Sequence, residues 1–211
     1  MTVTIFGATS LVGAQLVTHA MAKGWKVKAF GRNVESLIDK DLHSDDNFQV
    51  IKGYVFDPGE VKHALKESDI VLSALGGSLT ATDKSRSLGI KNIISQMKAV
   101  GIKKVVVLGG WGVLPDNHGN FLMDAIDYPP ELIPVSLEHR QAYQYLKESG
   151  LDWTFVCAPK IVSRPADNNF ITLAEMPTDG TEAGSGNIAL FMVEEAERNK
   201  YSHKRVSISD F

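Results

Sequence analysis

The sequence predicts an α/β protein built on a doubly wound parallel sheet in a single domain, and three observations carry that expectation. Strand-like and helix-like segments alternate along nearly the whole chain. Several strands are continuous apolar runs, such as Val105-Val106-Val107-Leu108, which suits a sheet covered on both faces. The chain also opens with a β-branched run, a glycine-rich turn and a helix, TVTIFGATSLVGAQLVTHAMAKG over residues 2–24. Alternation of this kind builds right-handed βαβ units. A length of 211 residues suits one domain, expected over 1–211, better than two.

The elements follow in order. A strand at Val3–Phe6 turns at Gly7 into a helix over Leu11–Lys23, whose apolar Leu16, Val17 and Ala20 give it a buried side and which stops at Gly24. A second strand reads at Lys26–Phe30, a short helix near Val34–Asp39 and a third strand at Phe48–Ile51. Helices at Gly59–Lys66 and Lys84–Val100 alternate with strands at Ile70–Ala74 and Val105–Leu108. The regularity then loosens over 109–134, with a short helix around Phe121–Ile126, before a helix at Ser136–Ser149 and a strand at Thr154–Cys157. A second irregular stretch, 158–186, contains a strand near Phe170–Ala174, and the chain closes with a helix near Asn187–Glu197 and a strand at Arg205–Ser209. Both irregular stretches follow carboxyl ends of strands, where ligands sit in this architecture, so both are expected to shape a substrate region.

The first turn has a specific chemistry. In Gly7-Ala8-Thr9-Ser10-Leu11-Val12-Gly13, a glycine leaving the strand permits backbone angles that a side chain forbids. Small residues let the main chain approach a pyrophosphate. The helix beginning at Leu11 aims unpaired N–H groups and its positive dipole end at the anion. The pattern is G-x-x-S-x-x-G rather than G-x-G-x-x-G, with Ser10 in the middle position, and its place between strand and helix marks a dinucleotide site. At the tip of the second strand stands Gly31-Arg32-Asn33, without the acid that would accept from a ribose hydroxyl. A guanidinium there suits a 2′-phosphate, so NADP(H) is the expected cofactor.

Composition excludes other classes. Hydrophobic residues make up 44% and charged residues 22% of the chain, with a formal net charge of −3, which gives no electrostatic reason to expect nucleic acid. No apolar run approaches the length of a membrane helix, and no basic-then-apolar leader is legible, so a cytoplasmic protein with a small-molecule substrate is expected. The lone Cys157 excludes an intramolecular disulfide and reads as a structural thiol. The histidines lack metal-ligand spacing, and neither a G-x-S-x-G elbow nor a G-x-x-x-x-G-K-[ST] loop occurs. No motif speaks to oligomeric state.

A family resemblance rests on particular residues. Ile5-Phe6-Gly7-Ala8-Thr9 with Gly13, Arg32 after the second strand, Gly53-Tyr54-Val55 and Ala74-Leu75-Gly76-Gly77 look like the atypical short-chain dehydrogenases with their NAD(P)-binding Rossmann fold. Ser149-Gly150-Leu151-Asp152-Trp153-Thr154 followed by Ala158-Pro159 fits the same group. Within it, the chain resembles the NAD(P)H-binding proteins similar to biliverdin reductase B (flavin reductase) and the NmrA-like proteins. The resemblance implies that Gly7, Thr9, Ser10, Leu11 and Val12 form the pyrophosphate loop and that Arg32 clamps the 2′-phosphate. It places Tyr54 and Val55 beside the adenine, and Leu75, Gly76 and Gly77 along the ribose and nicotinamide path. The segment Cys157-Ala158-Pro159-Lys160 would cover the nicotinamide, and Gly109 would line the same site.

Departures from that family bear on the chemistry. Ser10 replaces the middle glycine, and Tyr54 stands where many members carry an aspartate. Leu108-Gly109-Gly110-Trp111 offers no hydroxyl after the fifth strand. The catalytic Tyr-x-x-x-Lys would fall at Val135 and His139, so neither residue is present. Tyr143 and Lys147 match that spacing as text but lie about two helical turns late. His139 is the candidate catalytic residue, because an imidazole can donate a hydrogen bond or pass a proton. Trp111 offers a stacking face for a flat substrate. The expected function is an NADPH-dependent reductase acting on a flavin, quinone or similar acceptor. The alternative is a catalytically weak NmrA-like NADP(H) sensor, and a sugar-nucleotide epimerase or dehydratase is disfavoured without the tyrosine.

Overall fold

The computed structural model describes residues 1–37, 42 and 44–211, so Asp39 of the expected second helix lies outside the described residues. The described residues form ten strands and six α-helices, which alternate through the first half: β1 Thr2–Phe6, α1 Leu11–Ala22, β2 Lys26–Gly31, α2 Val34–Leu37, β3 Phe48–Lys52, α3 Pro58–Leu65, β4 Ile70–Ser73, α4 Ser85–Val100 and β5 Lys104–Gly110. The second half adds α5 Ile133–Lys147, β6 Asp152–Ala158, β7 Lys160–Val162, β8 Phe170–Ala174, β9 Glu182–Gly184, α6 Ser185–Arg198 and β10 Lys204–Asp210. Between β5 and α5 the backbone makes short 3-10 turns at Trp111–Val113, Leu122–Asp124 and Pro130–Leu132, and Pro115 forms an isolated antiparallel bridge with Phe121.

Eight strands form one sheet in the order β3-β2-β1-β4-β5-β6-β10-β8. Every pairing is parallel except that of β10 with the edge strand β8, where Ile208 faces Thr172. The sheet is therefore mostly parallel, in accord with the expected doubly wound parallel sheet, and carries one antiparallel strand at its edge. The reversal of strand order lies beside β1, whose Val3 is in register with Val27 on one side and Ile70 on the other. Crevices open at such a point, beyond the carboxyl ends of the strands.

Alternation along β1 shows how the sheet is covered. Val3 and Ile5 join an apolar layer with Leu16 and Val17 of α1 and Ile188 and Met192 of α6. Phe6 joins the opposite layer with Val61 of α3, Ile90 and Ile93 of α4, and Leu146 of α5. Between these apolar residues Thr4 is fully buried, its hydroxyl bonded to the Ala64 carbonyl and the Ser68 hydroxyl, so its polarity is satisfied.

The stretch 158–186 is held by tertiary contacts. β7 and β9 make a separate two-stranded parallel pair, and the fully buried Asn187 accepts from the Asp167 and Asn168 N–H groups while its amide donates to Asp167 and Asp210. Arg164 pairs with Asp210 at 2.7 Å, which ties the stretch to the last strand.

Candidate functional site

Gly7 leaves β1 with φ +75, and a Cβ there would meet the Ala74 carbonyl oxygen at 2.4 Å, so no side chain fits where β1 and the end of β4 converge. Gly13 sits one turn into α1 against the same loop. A Cβ on Gly13 would lie 1.9 Å from the Gly7 carbonyl oxygen. Two glycines thus bring the helix start onto the strand end.

Ser10 has the ordinary extended angles φ −74 and ψ 165, so its position does not require glycine. Its hydroxyl accepts from the Gly13 N–H at 3.0 Å and donates to the Ala74 carbonyl at 3.0 Å. The substitution for the middle glycine is therefore a helix N-cap that also laces α1 to the end of β4, a bond of the kind worth about 1 kcal/mol. With Gly13 capped, the first-turn N–H groups of Leu11 and Val12, which have no intrahelical acceptor, remain to meet an anion.

Two cavities flank this loop and share Ser10, Leu75 and Gly76. The smaller, about 410 Å³, is lined by Gly7, Thr9, Arg32, Tyr54, Val55 and Gly77 among others. The larger, about 800 Å³, takes Leu11 and Val12 from the loop, Gly109 and Trp111 from the end of β5, and His139 from α5. Ala158, Pro159 and Lys160 form its far wall. The expected cofactor-binding residues line one or other of the two cavities, with two exceptions, Gly13 and Cys157; Gly13 is buried behind the loop and acts by letting the helix approach. Cys157, expected beside the nicotinamide, lies instead wholly in the core with its thiol near the Phe155 carbonyl, and burial pushes its ionisation up.

Charges are placed with equal definiteness. Arg32 is exposed at the tip of β2, and no ion-pair partner for it is seen among the described residues. Lys160 pairs on the surface with Glu182 at 2.6 Å. Arg86 of α4 lines the larger cavity while its guanidinium donates to the Gly77 and Ser78 carbonyls, closing the β4–α4 loop. The His139 imidazole packs on Gly110, where an added Cβ would stand 2.7 Å from its Cδ2. Burial, and then the nearby Arg86 charge, drive the His139 pKa down to about 3. His139 is thus neutral at physiological pH. It lines the cavity rather than the solvated helix surface.

That shift predicts a stability effect. Between pH 6.5, the ordinary histidine value, and about 3 the unfolded chain takes up a proton that the folded chain refuses, so stability falls as pH drops through that window. Urea melts at stepped pH should show wild type losing up to about 1.4 kcal/mol per pH unit more than His139→Gln. Equal slopes for the two proteins would show that His139 stays freely protonatable.

Tyr143 is not a site residue. It is 8% exposed, its ring edge-on to Trp153 at 5.7 Å and beneath the Arg205 guanidinium at 5.0 Å, all on the core side of α5. Residues not singled out from the sequence also line the larger cavity: Arg86, Tyr128, Ser136 and the backbone turn 178–181. Tyr128 and 178–181 come from the two irregular stretches, whose length was the available signal. Trp111 stacks on Tyr128 with ring centres 6.5 Å apart and planes 13° from parallel, and it also lines the cavity. Its indole Nε1 and the Thr178 hydroxyl are buried without partners among the described residues, which is uncommon away from ligand sites.

A family model described as NAD(P)H-binding matches residues 7–199. The chain belongs to the NAD(P)H-binding family. The donors fit that assignment: a bare helix start, a glycine-cleared approach and a two-part cleft at the sheet reversal. A crystal structure of a Burkholderia pseudomallei protein described as a candidate exported protein is 27% identical, covers 99% of both chains and superposes with a TM-score of 0.84. One from Streptococcus pneumoniae, proposed to be an NADH-flavin reductase, is 23% identical over 100% of both chains with a TM-score of 0.84. An uncharacterised chloroplast protein of Arabidopsis thaliana is 24% identical over 173 residues, 79% of this chain, and the chain spans 61% of that relative's length. Among the described residues no helix is long and apolar enough to cross a membrane, and no cluster of His, Cys, Asp and Glu suits a metal ion.

Proposed function

We propose that this chain is an NADPH-dependent reductase that delivers hydride to a flat, conjugated acceptor such as a flavin or quinone. The observation that carries the reading is the larger cavity itself: it begins at the coenzyme loop and is walled by Leu11, Leu79, Leu108, Trp111 and Val135. Such walls suit an extended aromatic ring, and Trp111 supplies a face for stacking. The bound coenzyme would supply the hydride, while the chain's own groups orient the two rings and exclude water. A conjugated acceptor takes hydride without a tyrosine–lysine pair, in keeping with Val135 and His139 at those positions. The flavin reductase proposed for the Streptococcus relative supports the acceptor class. That relative's name speaks of NADH, whereas Arg32 at the tip of β2 supports NADPH here. The partner in this reading is a small molecule rather than nucleic acid or a membrane, and its compartment is the cytoplasm.

The test is oxidation of NADPH by pure protein with menadione, riboflavin and FMN, followed by loss of the reduced nicotinamide absorbance. Turnover with at least one acceptor is expected. Tight NADPH binding with no turnover on any of them would favour a second reading, an NmrA-like NADP(H) sensor, for which Val135 in place of the relay tyrosine already speaks.

A further inference from the structure

We infer that the Tyr128 hydroxyl, held by Ser136, hands the acceptor the proton that completes its reduction, and that the acceptor therefore carries a carbonyl oxygen or an equivalent proton-accepting atom. The inference rests on the reductase reading and adds a residue and a substrate class to it.

Tyr128 comes from the irregular stretch after β5 and Ser136 from the start of α5, and their oxygens lie 2.7 Å apart. Both line the larger cavity, and Trp111 stacks against the Tyr128 ring. Two hydroxyls own two hydrogens, and the bond between them uses only one. Neither oxygen makes another hydrogen bond among the described residues, so one O–H stays free to donate, on one of two residues that both line the cavity.

Gly112 shows how closely this corner is built. A Cβ on it would lie 2.5 Å from the Tyr128 oxygen and 2.9 Å from the Ser136 oxygen. Any side chain there would drive the two hydroxyls apart.

The other titratable groups in the wall serve poorly as the acid. His139 is neutral because burial and Arg86 oppose its protonation, Lys160 is paired with Glu182, and Arg86 does not release its proton. Asp179 is acceptor-only once ionised. Burial raises the Tyr128 pKa above the ordinary phenol value, outweighing the opposing Ser136 bond, so the phenol is kept protonated.

The step balances. The acceptor gains two electrons and one hydrogen as hydride from the reduced nicotinamide. It gains a second hydrogen as the Tyr128 O–H bond breaks and a new O–H bond forms on the acceptor oxygen. The phenolate then recovers a proton from water through the Ser136 hydroxyl, which makes Ser136 a positioning residue and Tyr128 the catalytic one.

Tyr128→Phe keeps the ring and its stacking, so it removes the hydroxyl alone. With NADPH and menadione, kcat is expected to fall about 100-fold in Tyr128→Phe while the Kd for NADPH is unchanged. Ser136→Ala should show a smaller fall in kcat. An independent readout is the infrared carbonyl stretch of bound menadione, which should lie below its value in water in wild type and return towards it in Tyr128→Phe. Wild-type turnover and an unmoved carbonyl band in Tyr128→Phe would overturn the inference and leave the reductase reading intact. Absence of turnover by wild type with every acceptor would remove that reading and this inference with it. Should Tyr128→Phe lose the wild-type melting temperature, Ser136→Ala decides: unchanged kcat and band position would again overturn the assignment.

Discussion

Gly13→Ala is expected to abolish coenzyme binding and to lower stability by at least about 3 kcal/mol, the upper end for overpacked positions. The added carbon would stand 1.9 Å from the Gly7 carbonyl oxygen and 2.9 Å from the Ala8 Cα, and both are main-chain atoms that no rotamer change can move. Relief requires α1 to withdraw from β1. The withdrawal would break the Ser10 lacing to Gly13 and Ala74 and carry the free N–H groups of Leu11 and Val12 off their line of approach. Stability and binding therefore fail together, although Gly13 lines neither cavity. Thermal unfolding should show Tm falling by about 6 °C or more, at roughly 2–4 °C per kcal/mol for a domain of this size. Calorimetric titration should register no heat with NADPH. Gly76→Ala is the control for stability, since nothing lies within 4 Å of the carbon it adds, and its Tm should match wild type. A Gly13→Ala protein that melts and binds like the parent would mean that helix and strand are not pressed together here.

The same corner shows how far the residues speak for themselves. Strand, glycine turn, helix and strand are consecutive, so local propensity, punctuation by Gly7 and Gly24, and apolar spacing all point one way, and β1, α1 and β2 appear where the residues place them. Ser10 was legible as a departure but its role was not, because its second partner, the Ala74 carbonyl, lies far along the chain. β7 and β9 are three residues each, too short to show alternation, and exist through pairing with one another. The antiparallel edge was hidden for a similar reason: the residues of β8 mark a strand, but nothing local states its direction relative to β10.

Within the candidate site the division is alike. α5 could be placed by offset from Ser149-Gly150-Leu151, which is why Val135 and His139 could be set against the missing tyrosine and lysine. Tyr128, Gly112 and Ser136 could not be grouped, since they come from three separate elements and meet only through side-chain packing. Length and irregularity marked the loops that carry the site, and tertiary contact chose the residues within them.

Arg32→Ala is expected to weaken NADPH by about 2 kcal/mol, roughly 30-fold, and to leave NADH almost unchanged. The argument is one of charge and place. Arg32 stands at the end of β2, exposed at the rim of the 410 Å³ cavity that also holds Tyr54 and Gly7. A guanidinium offers a phosphate two parallel N–H donors, whereas the ribose hydroxyl of NADH gives it no charge to meet. Asp83, the acid in that cavity, is engaged by the Ser78 and Ser85 N–H groups, so it is not the free ribose-binding carboxylate that an NAD site presents. Because the pair would be solvent-exposed, its contribution should shrink as salt rises, and the preference for NADPH should be largest at low ionic strength. Arg32→Lys should fall between wild type and Arg32→Ala, keeping the charge and losing the two-pronged geometry. Binding measured by nicotinamide fluorescence at two salt concentrations separates these contributions. Equal affinity of wild type for the two reduced coenzymes, or an equal loss of both in Arg32→Ala, would assign Arg32 to the solvated surface and return the choice of coenzyme to the rest of the cavity.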